Sequence, residues 1–199
     1  MQSHALQSLP EGYREILHLD LQKDKKSATA VNVLAVVLAV VLGIVFHLMV
    51  PISSFFRTTG DLAADLLRLL VLLVAMAAYI VLHELTHAAA MKYFGGVQVK
   101  FGFTGIYAFA GSEKDYFDRP AYRVIALAPV VVWGVIFALL MALLPREWFW
   151  TMAWLQLTNV SGAAGDLYVT WKLHKVPRDT LVRDTGVAMW MYSASGTGE

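Results

Sequence analysis

Residues 66–91 read LLRLLVLLVAMAAYIVLHELTHAAAM, an apolar run that ends in two histidines and a glutamate. From Leu69 to Leu82 the run holds no charged side chain. A helix of roughly 20 apolar residues is enough to cross a bilayer core of about 30 Å. Ionisable side chains inside such a segment are costly and usually functional. This stretch therefore predicts a transmembrane helix that also contributes residues to the functional site.

The composition of the whole chain also indicates a membrane protein. Of its 199 residues, 58% are apolar and 16% are charged, and the mean hydropathy is +0.57, whereas a soluble domain carries about 25% charged residues. Four stretches are long and apolar enough to span a membrane: 28–50, 66–91, 124–144 and 148–171. The sequence predicts an all-α membrane fold with four transmembrane helices, and it argues against a soluble globule or a disordered chain.

Basic residues indicate the orientation of these helices. They concentrate before the first span, in the connection 91–123 and after the fourth span. Because basic residues collect on the cytoplasmic side, we expect a multi-pass protein of the inner (cell) membrane with both termini in the cytoplasm. We divide the chain into a cytoplasmic segment 1–27, a transmembrane domain 28–172 and a cytoplasmic tail 173–199.

The connection between the second and third spans holds a strand pattern. Apolar residues alternate with polar or small ones over 97–104, Thr104-Gly105 is a turn signal, and Ile106–Ala110 favours a second strand. This pattern predicts a small β-hairpin over 97–110. The alternative is an amphipathic ribbon that merely lies on the membrane surface.

The motif HELTH carries the clearest chemical signal. His83 and His87 lie four residues apart, so both imidazoles point to one side of a helix and can hold one Zn²⁺. Glu84 lies beside them, where it can take a proton from a water activated by the metal. The chain has no cysteine, so further ligands must be His, Asp or Glu. The alternative is two packed histidines beside an unrelated acid.

A catalytic zinc needs one more protein ligand. Asp166 is the only acid in the fourth span, and its depth falls between those of the two histidines. A carboxylate is unfavourable there unless a cation balances it. Asp166 is therefore the predicted third ligand, and the alternative is a protonated carboxyl or one that is paired with Arg123.

Asn159 lies two helical turns before Asp166, on a stripe that also contains Gly162. Small residues over 161–165 let helices approach closely, which would bring Asp166 to the histidines. Asn159 is a candidate catalytic residue that hydrogen-bonds substrate or a developing oxyanion. Its alternative role is a hydrogen bond that only joins two helices.

An HExxH helix, a hairpin and two further spans with an Asn and an Asp on the last resemble the putative zincin peptidase family of small bacterial membrane proteins. The pattern is also similar to the core of the site-2 protease family of intramembrane zinc metalloproteases, and the likeness covers residues 66–172. It implies a zinc site with a general base: ligands His83, His87 and Asp166, and base Glu84. Site-2 proteases surround the Asp with N-x-x-P-x-P-P-L-D-G, whereas residues 159–166 read NVSGAAGD, without proline and with a shorter Asn–Asp spacing.

These features predict a zinc-dependent endopeptidase that hydrolyses a peptide bond of a membrane protein or peptide near the cytoplasmic side of the bilayer. The substrate must be extended, and the edge of the hairpin could take it as an added strand. Two alternatives are a non-catalytic membrane protein with a structural or sensory zinc site, and a small transporter that uses the His/Asp cluster. A net charge of +1 gives no reason to expect nucleic acid as a partner, and the oligomeric state stays open.

Overall fold

Three long apolar helices make up much of the chain, and the computed structural model describes residues 4–103 and 108–196. These helices are α1, Lys25–Met49, α2, Leu62–Tyr93, and α3, Arg119–Leu143. Within the described residues, these are the three helices long and apolar enough to cross a membrane. Large apolar side chains stay exposed on each of them, for example Val36, Leu73 and Val131. Such continuous apolar surface suits lipid better than water.

The end of α2 is fixed by two glycines. The N–H of Gly96 donates to the carbonyl of Met91 at 2.8 Å, and the N–H of Gly95 donates to that of Lys92 at 3.0 Å. Gly95 has a φ of +96°, which only glycine adopts without strain. Together these are the two bonds of a Schellman motif, so α2 ends two turns after its second histidine.

The fourth predicted span is not one helix, and this part of the prediction is corrected. It consists of two shorter helices, α4, Phe149–Gly162, and α5, Ala164–His174, of 14 and 11 residues. Ala163, between them, leaves the helical conformation, with φ −77° and ψ 11°. The break falls in the run 161–165, which contains two glycines. Glycine is a poor helix former, and a hydropathy scale does not measure helix propensity.

The prediction of an all-α protein with only a hairpin is also wrong, because the chain builds a larger antiparallel sheet. Its strands are β1, Ala5–Leu6, β2, Arg14–Asp20, β5, Tyr116–Asp118, β6, Leu181–Asp184, and β7, Ala188–Ser193, in the order β1-β5-β6-β7-β2. The long pairing joins β2 to β7, from Arg14 opposite Ser193 to Asp20 opposite Ala188. The architecture is therefore mixed α and β.

The predicted hairpin is confirmed in its two strands. β3, Val99–Phe103, pairs antiparallel with β4, Ala108–Ser112, and Val99 lies opposite Ser112. The predicted Thr104-Gly105 turn lies outside the described residues. Asp115 holds the base of the hairpin, because its carboxylate accepts hydrogen bonds from the N–H of Val97 at 3.0 Å and from the Ser112 hydroxyl at 2.6 Å.

The chain divides into two compact units, each with its own core. The first comprises 1–31, 84–128 and 165–199, and its core includes Met91, Phe117, Ile125, Leu173 and Met191. The second comprises 32–83 and 129–164, and it has two clusters of buried side chains. These clusters are Phe46, Val50, Phe149, Trp150, Ala153 and Leu157, and Tyr79, Phe137, Met152 and Leu155. The division into 1–27, 28–172 and 173–199 stays a prediction.

Candidate metal centre

The two histidines of the HELTH motif lie one turn apart on the unbroken helix α2. Helix α2 contains no glycine or proline before the motif, so the sequence has nothing there that would break the helix. The side chain of His87 is only 11% exposed. Glu84 follows His83 directly on the helix and is half-buried. The sequence prediction of one helix that carries all three residues is confirmed.

Asp166 lies in the first turn of α5, directly beside His87. Its Oδ1 atom is 3.5 Å from Nε2 of His87, and its side chain is 25% exposed. An acidic side chain in the first turn of a helix also faces the positive end of the helix dipole. The candidate ligand atoms of His83, His87 and Asp166 all lie within 4.8 Å of one another. The structure therefore brings together the three residues that the sequence singled out as ligands.

This donor set fits zinc. Two imidazole nitrogens and one carboxylate oxygen are a known ligand set of catalytic zinc sites, which keep a fourth position open. With metal–ligand distances of about 2.0–2.2 Å, neighbouring ligand atoms of a tetrahedral site are about 3.4 Å apart. The separation of 3.5 Å between His87 and Asp166 matches that spacing. His83, His87 and Asp166 could thus hold one Zn²⁺ with small adjustments of their side chains.

A proline in α3 explains how His87 is oriented. Pro129 lies inside this helix and has no N–H, so the carbonyl of Ile125, four residues earlier, loses its helical donor. The Nδ1 atom of His87 is 3.0 Å from that carbonyl oxygen. A carbonyl only accepts, so Nδ1 carries a proton, and Nε2, which faces Asp166, is the nitrogen that would bind a metal. Helix α3 thereby supports the histidine as a ligand.

His83 also has a defined partner on its Nδ1 atom. The hydroxyl of Tyr79 lies 2.9 Å from it and 2.8 Å from Oδ1 of Asn159. The amide Nδ2 of Asn159 donates to the carbonyl of Val130 at 3.1 Å. Asn159 is fully buried, and its catalytic role stays a prediction. Sequence reasoning missed Tyr79 and Pro129, although Tyr79 lies four residues before His83 and a proline inside an apolar span always releases one carbonyl.

Another carboxylate contributes to the electrostatics of the first unit. Asp184 accepts hydrogen bonds from the hydroxyl of Tyr122 and, at 2.7 Å, from the N–H of Gly186. Burial raises the pKa of Asp184, and these hydrogen bonds act in the opposite direction. Its charge also interacts with those of His87 and Asp166.

Comparison with known proteins identifies a family. Residues 76–181, more than half of the chain, match the model of the family described as "Putative zincin peptidase". The match contains all of the residues discussed as the candidate centre, from Tyr79 to Asp166. No curated protein and no solved structure matches the chain. By this match, which spans the HELTH motif, the hairpin and Asp166, the chain belongs to the putative zincin peptidase family.

Proposed function

We propose that this protein is a zinc-dependent endopeptidase of the membrane, similar in mechanism to the site-2 proteases. The cluster of His83, His87 and Asp166, whose ligand atoms lie within 4.8 Å, is the observation that carries the proposal. The family match supports a metallopeptidase. The apolar helix that carries HELTH supports a site at or within the bilayer.

Each residue of the centre has a distinct role in this proposal. His83, His87 and Asp166 hold the zinc, which when bound polarises the scissile carbonyl and makes water acidic enough to be a nucleophile near neutral pH. Glu84 accepts the proton of the attacking water and transfers it to the nitrogen of the leaving amine. Because Glu84 follows His83 directly on α2, its carboxylate needs no separate element to reach the site.

The proposed location is the inner membrane, with the centre near the cytoplasmic side and both termini in the cytoplasm. The exposed apolar side chains of α1, α2 and α3 support insertion into lipid. The shorter α4 and α5 also fit an apolar environment, because residues 148–171 hold Asp166 as their only charge. Basic residues at the cytoplasmic ends support the orientation.

The proposed substrate is a membrane protein or peptide that presents an extended segment. A helix hides its carbonyls in its own hydrogen bonds, so the scissile bond must lie where the substrate is unwound. Among the described strands, β3 pairs only with β4, which leaves its other edge able to accept a further strand. Phe101 and Phe103 are exposed on one face of β3 and could contact an added apolar chain.

The test is cleavage by the purified full chain in lipid vesicles. The substrates are single-span membrane proteins whose spans are interrupted by glycine and proline, and their intact versions serve as a reference. We expect one zinc per chain, cleavage of the interrupted spans and no cleavage by Glu84→Gln, which still binds zinc. Glu147→Gln is the matched control, because Glu147 is an exposed glutamate that pairs with Arg68 at 3.7 Å. Full cleavage by Glu84→Gln would show that Glu84 is not the base. A zinc ion that no substrate or inhibitor can reach would instead favour a structural or sensory site.

A further inference from the structure

A continuous series of hydrogen bonds leads from α3 to His83. It runs from the carbonyl of Val130 to the Asn159 amide at 3.1 Å, from that amide to the Tyr79 hydroxyl at 2.8 Å, and from the hydroxyl to Nδ1 of His83 at 2.9 Å. All four residues belong to the second unit. The proposed peptidase mechanism gives Tyr79 no role.

The donor and acceptor of each hydrogen bond follow in turn from the Val130 carbonyl, where the series begins. The carbonyl of Val130 can only accept, so the NH₂ group of Asn159 must face it. The Oδ1 atom of Asn159 then faces Tyr79 and, as a carbonyl oxygen, takes the single hydroxyl proton. The Tyr79 oxygen has no second proton to offer, so His83 must be the donor in their contact. His83 therefore carries its proton on Nδ1 and its lone pair on Nε2.

We propose that Tyr79 and Asn159 are positioning residues that hold His83 in the one tautomer able to bind zinc through Nε2. This inference rests on the metal site of the proposed function, but not on its peptidase activity. It also gives Asn159 a role other than contact with substrate, since its side chain is fully buried and both polar atoms are in hydrogen bonds. Groups that hydrogen-bond the outer nitrogen of a ligating histidine fix its orientation and raise its basicity.

The packing around Tyr79 and Asn159 supports a fixed geometry. The Tyr79 ring is buried and makes edge contacts with Phe137 and Trp133, with ring centroids 5.4 and 6.3 Å apart. A Cβ atom at Gly134 would lie 3.4 Å from Nδ2 of Asn159, which is ordinary van der Waals contact, so the amide lies close against α3. Both side chains are therefore held by packing as well as by their hydrogen bonds.

The first test compares zinc affinity in the full chain for Tyr79→Phe and for Tyr13→Phe. Tyr79→Phe removes one hydroxyl and should weaken zinc binding about 10–100-fold, as loss of such an outer partner typically does. Tyr13→Phe is the matched control, because its hydroxyl also donates a hydrogen bond, to the carbonyl of Asp179 at 3.2 Å, away from the candidate centre. Unchanged zinc affinity in Tyr79→Phe would overturn the proposal.

The second test separates positioning from simple packing. In Asn159→Leu the Tyr79 hydroxyl loses its acceptor and can donate to Nδ1 of His83, which favours the tautomer with its proton on Nε2. We expect Asn159→Leu to lower zinc affinity, and adding Tyr79→Phe to this variant should cause no further loss. If Asn159 only joined two helices, the two losses would add or the zinc affinity would not change, and either result would overturn the inference.

The third measurement does not require metal. Nitrogen NMR of the zinc-free protein, labelled at histidine, reports which nitrogen of His83 carries the proton. We expect Nδ1–H in the unmodified chain and in Tyr13→Phe, and a shift toward Nε2–H in Asn159→Leu. An Nε2–H tautomer in the unmodified chain would overturn the inference. A chain that binds zinc with the expected tautomer but cleaves nothing would instead contradict the proposed function alone.

Discussion

The Nδ1 atom of His87 lies 3.0 Å from the carbonyl oxygen of Ile125, which is the carbonyl that Pro129 leaves without a helical partner. A proline inside a helix usually destabilises it, by about 3 kcal/mol or more. Here the carbonyl that it releases orients a candidate metal ligand. We therefore expect Pro129 of α3 to affect how strongly His87 of α2 can bind a metal.

Pro129→Ala should weaken zinc binding by up to about tenfold, because the new N–H competes with His87 for the Ile125 carbonyl. The stability of the fold should stay unchanged or rise, since the helix regains a hydrogen bond. Titration with zinc and thermal unfolding in detergent measure the two effects. Pro120→Ala is the matched control, because Pro120 lies in the first turn of the same helix, where a missing N–H releases no carbonyl. If Pro129→Ala lowered both the thermal stability and the zinc affinity, that result would contradict this explanation.

Asp166→Asn should abolish stoichiometric zinc retention, because an amide is a much weaker ligand than a carboxylate beside two imidazoles. The measurement is the zinc content of the purified chain after dialysis. Asp65→Asn provides the comparison, since Asp65 accepts hydrogen bonds from the Thr59 N–H in the first turn of α2 and belongs to no proposed site. Equal zinc content in both variants would show that Asp166 is not the third ligand.

Phe101→Ser and Phe103→Ser should raise the KM for an unwound membrane substrate about tenfold, which corresponds to about 1.4 kcal/mol. The reason is that these exposed rings are the apolar surface that β3 offers to an added strand. Zinc content should not change. Lys100→Ser, on the other face of the same strand, is the control, and an equal effect of all three variants would argue that the hairpin only anchors the protein at the bilayer.

Asp179 predicts a pH dependence of stability in the sheet. Burial acts to raise its pKa, but hydrogen bonds from the Ser193 hydroxyl and from the N–H groups of Ala194 and Ser195 outweigh this, so the pKa lies below its ordinary value of 3.8. A lowered pKa in the folded state stabilises the fold above the unfolded pKa, and this stabilisation is lost as the pH falls through the folded-state value. Asp179→Asn should therefore lower the unfolding midpoint at neutral pH. Its difference from the unmodified chain should shrink below pH 3.8, and a constant difference across that range would disprove the assignment.

The sequence was sufficient to predict three apolar helices, and to single out three residues that the structure brings together, for one physical reason. Burying charge in an apolar segment is costly, so His83, His87 and Asp166 stood out against their surroundings. The break at Ala163 was missed because hydropathy records the transfer of side chains into lipid and not the weak helix propensity of glycine. Helices α4 and α5, on either side of the break, are both apolar enough that residues 148–171 look like a single transmembrane helix.

The five-stranded sheet was missed for a different reason. β2 contains Arg14, Glu15 and Asp20, so it looks like a polar leader, and its partner β7 lies at the other end of the chain. Only β7 carries a clear apolar run, in which Met189 and Met191 are buried. Tyr79 and Pro129 escaped notice because their effect passes through directed hydrogen bonds, which depend on where α3 and α4 lie.

The pairing of β2 with β7 also has a consequence for biosynthesis. Residues 14–20 emerge from the ribosome long before residues 188–193, and the sheet needs both. Loop closure over such a separation is slow and carries an entropic cost. During translation β2 therefore has no β7 to pair with until residues 188–193 have been made, so the unit that holds His87 and Asp166 can close only from that point onward.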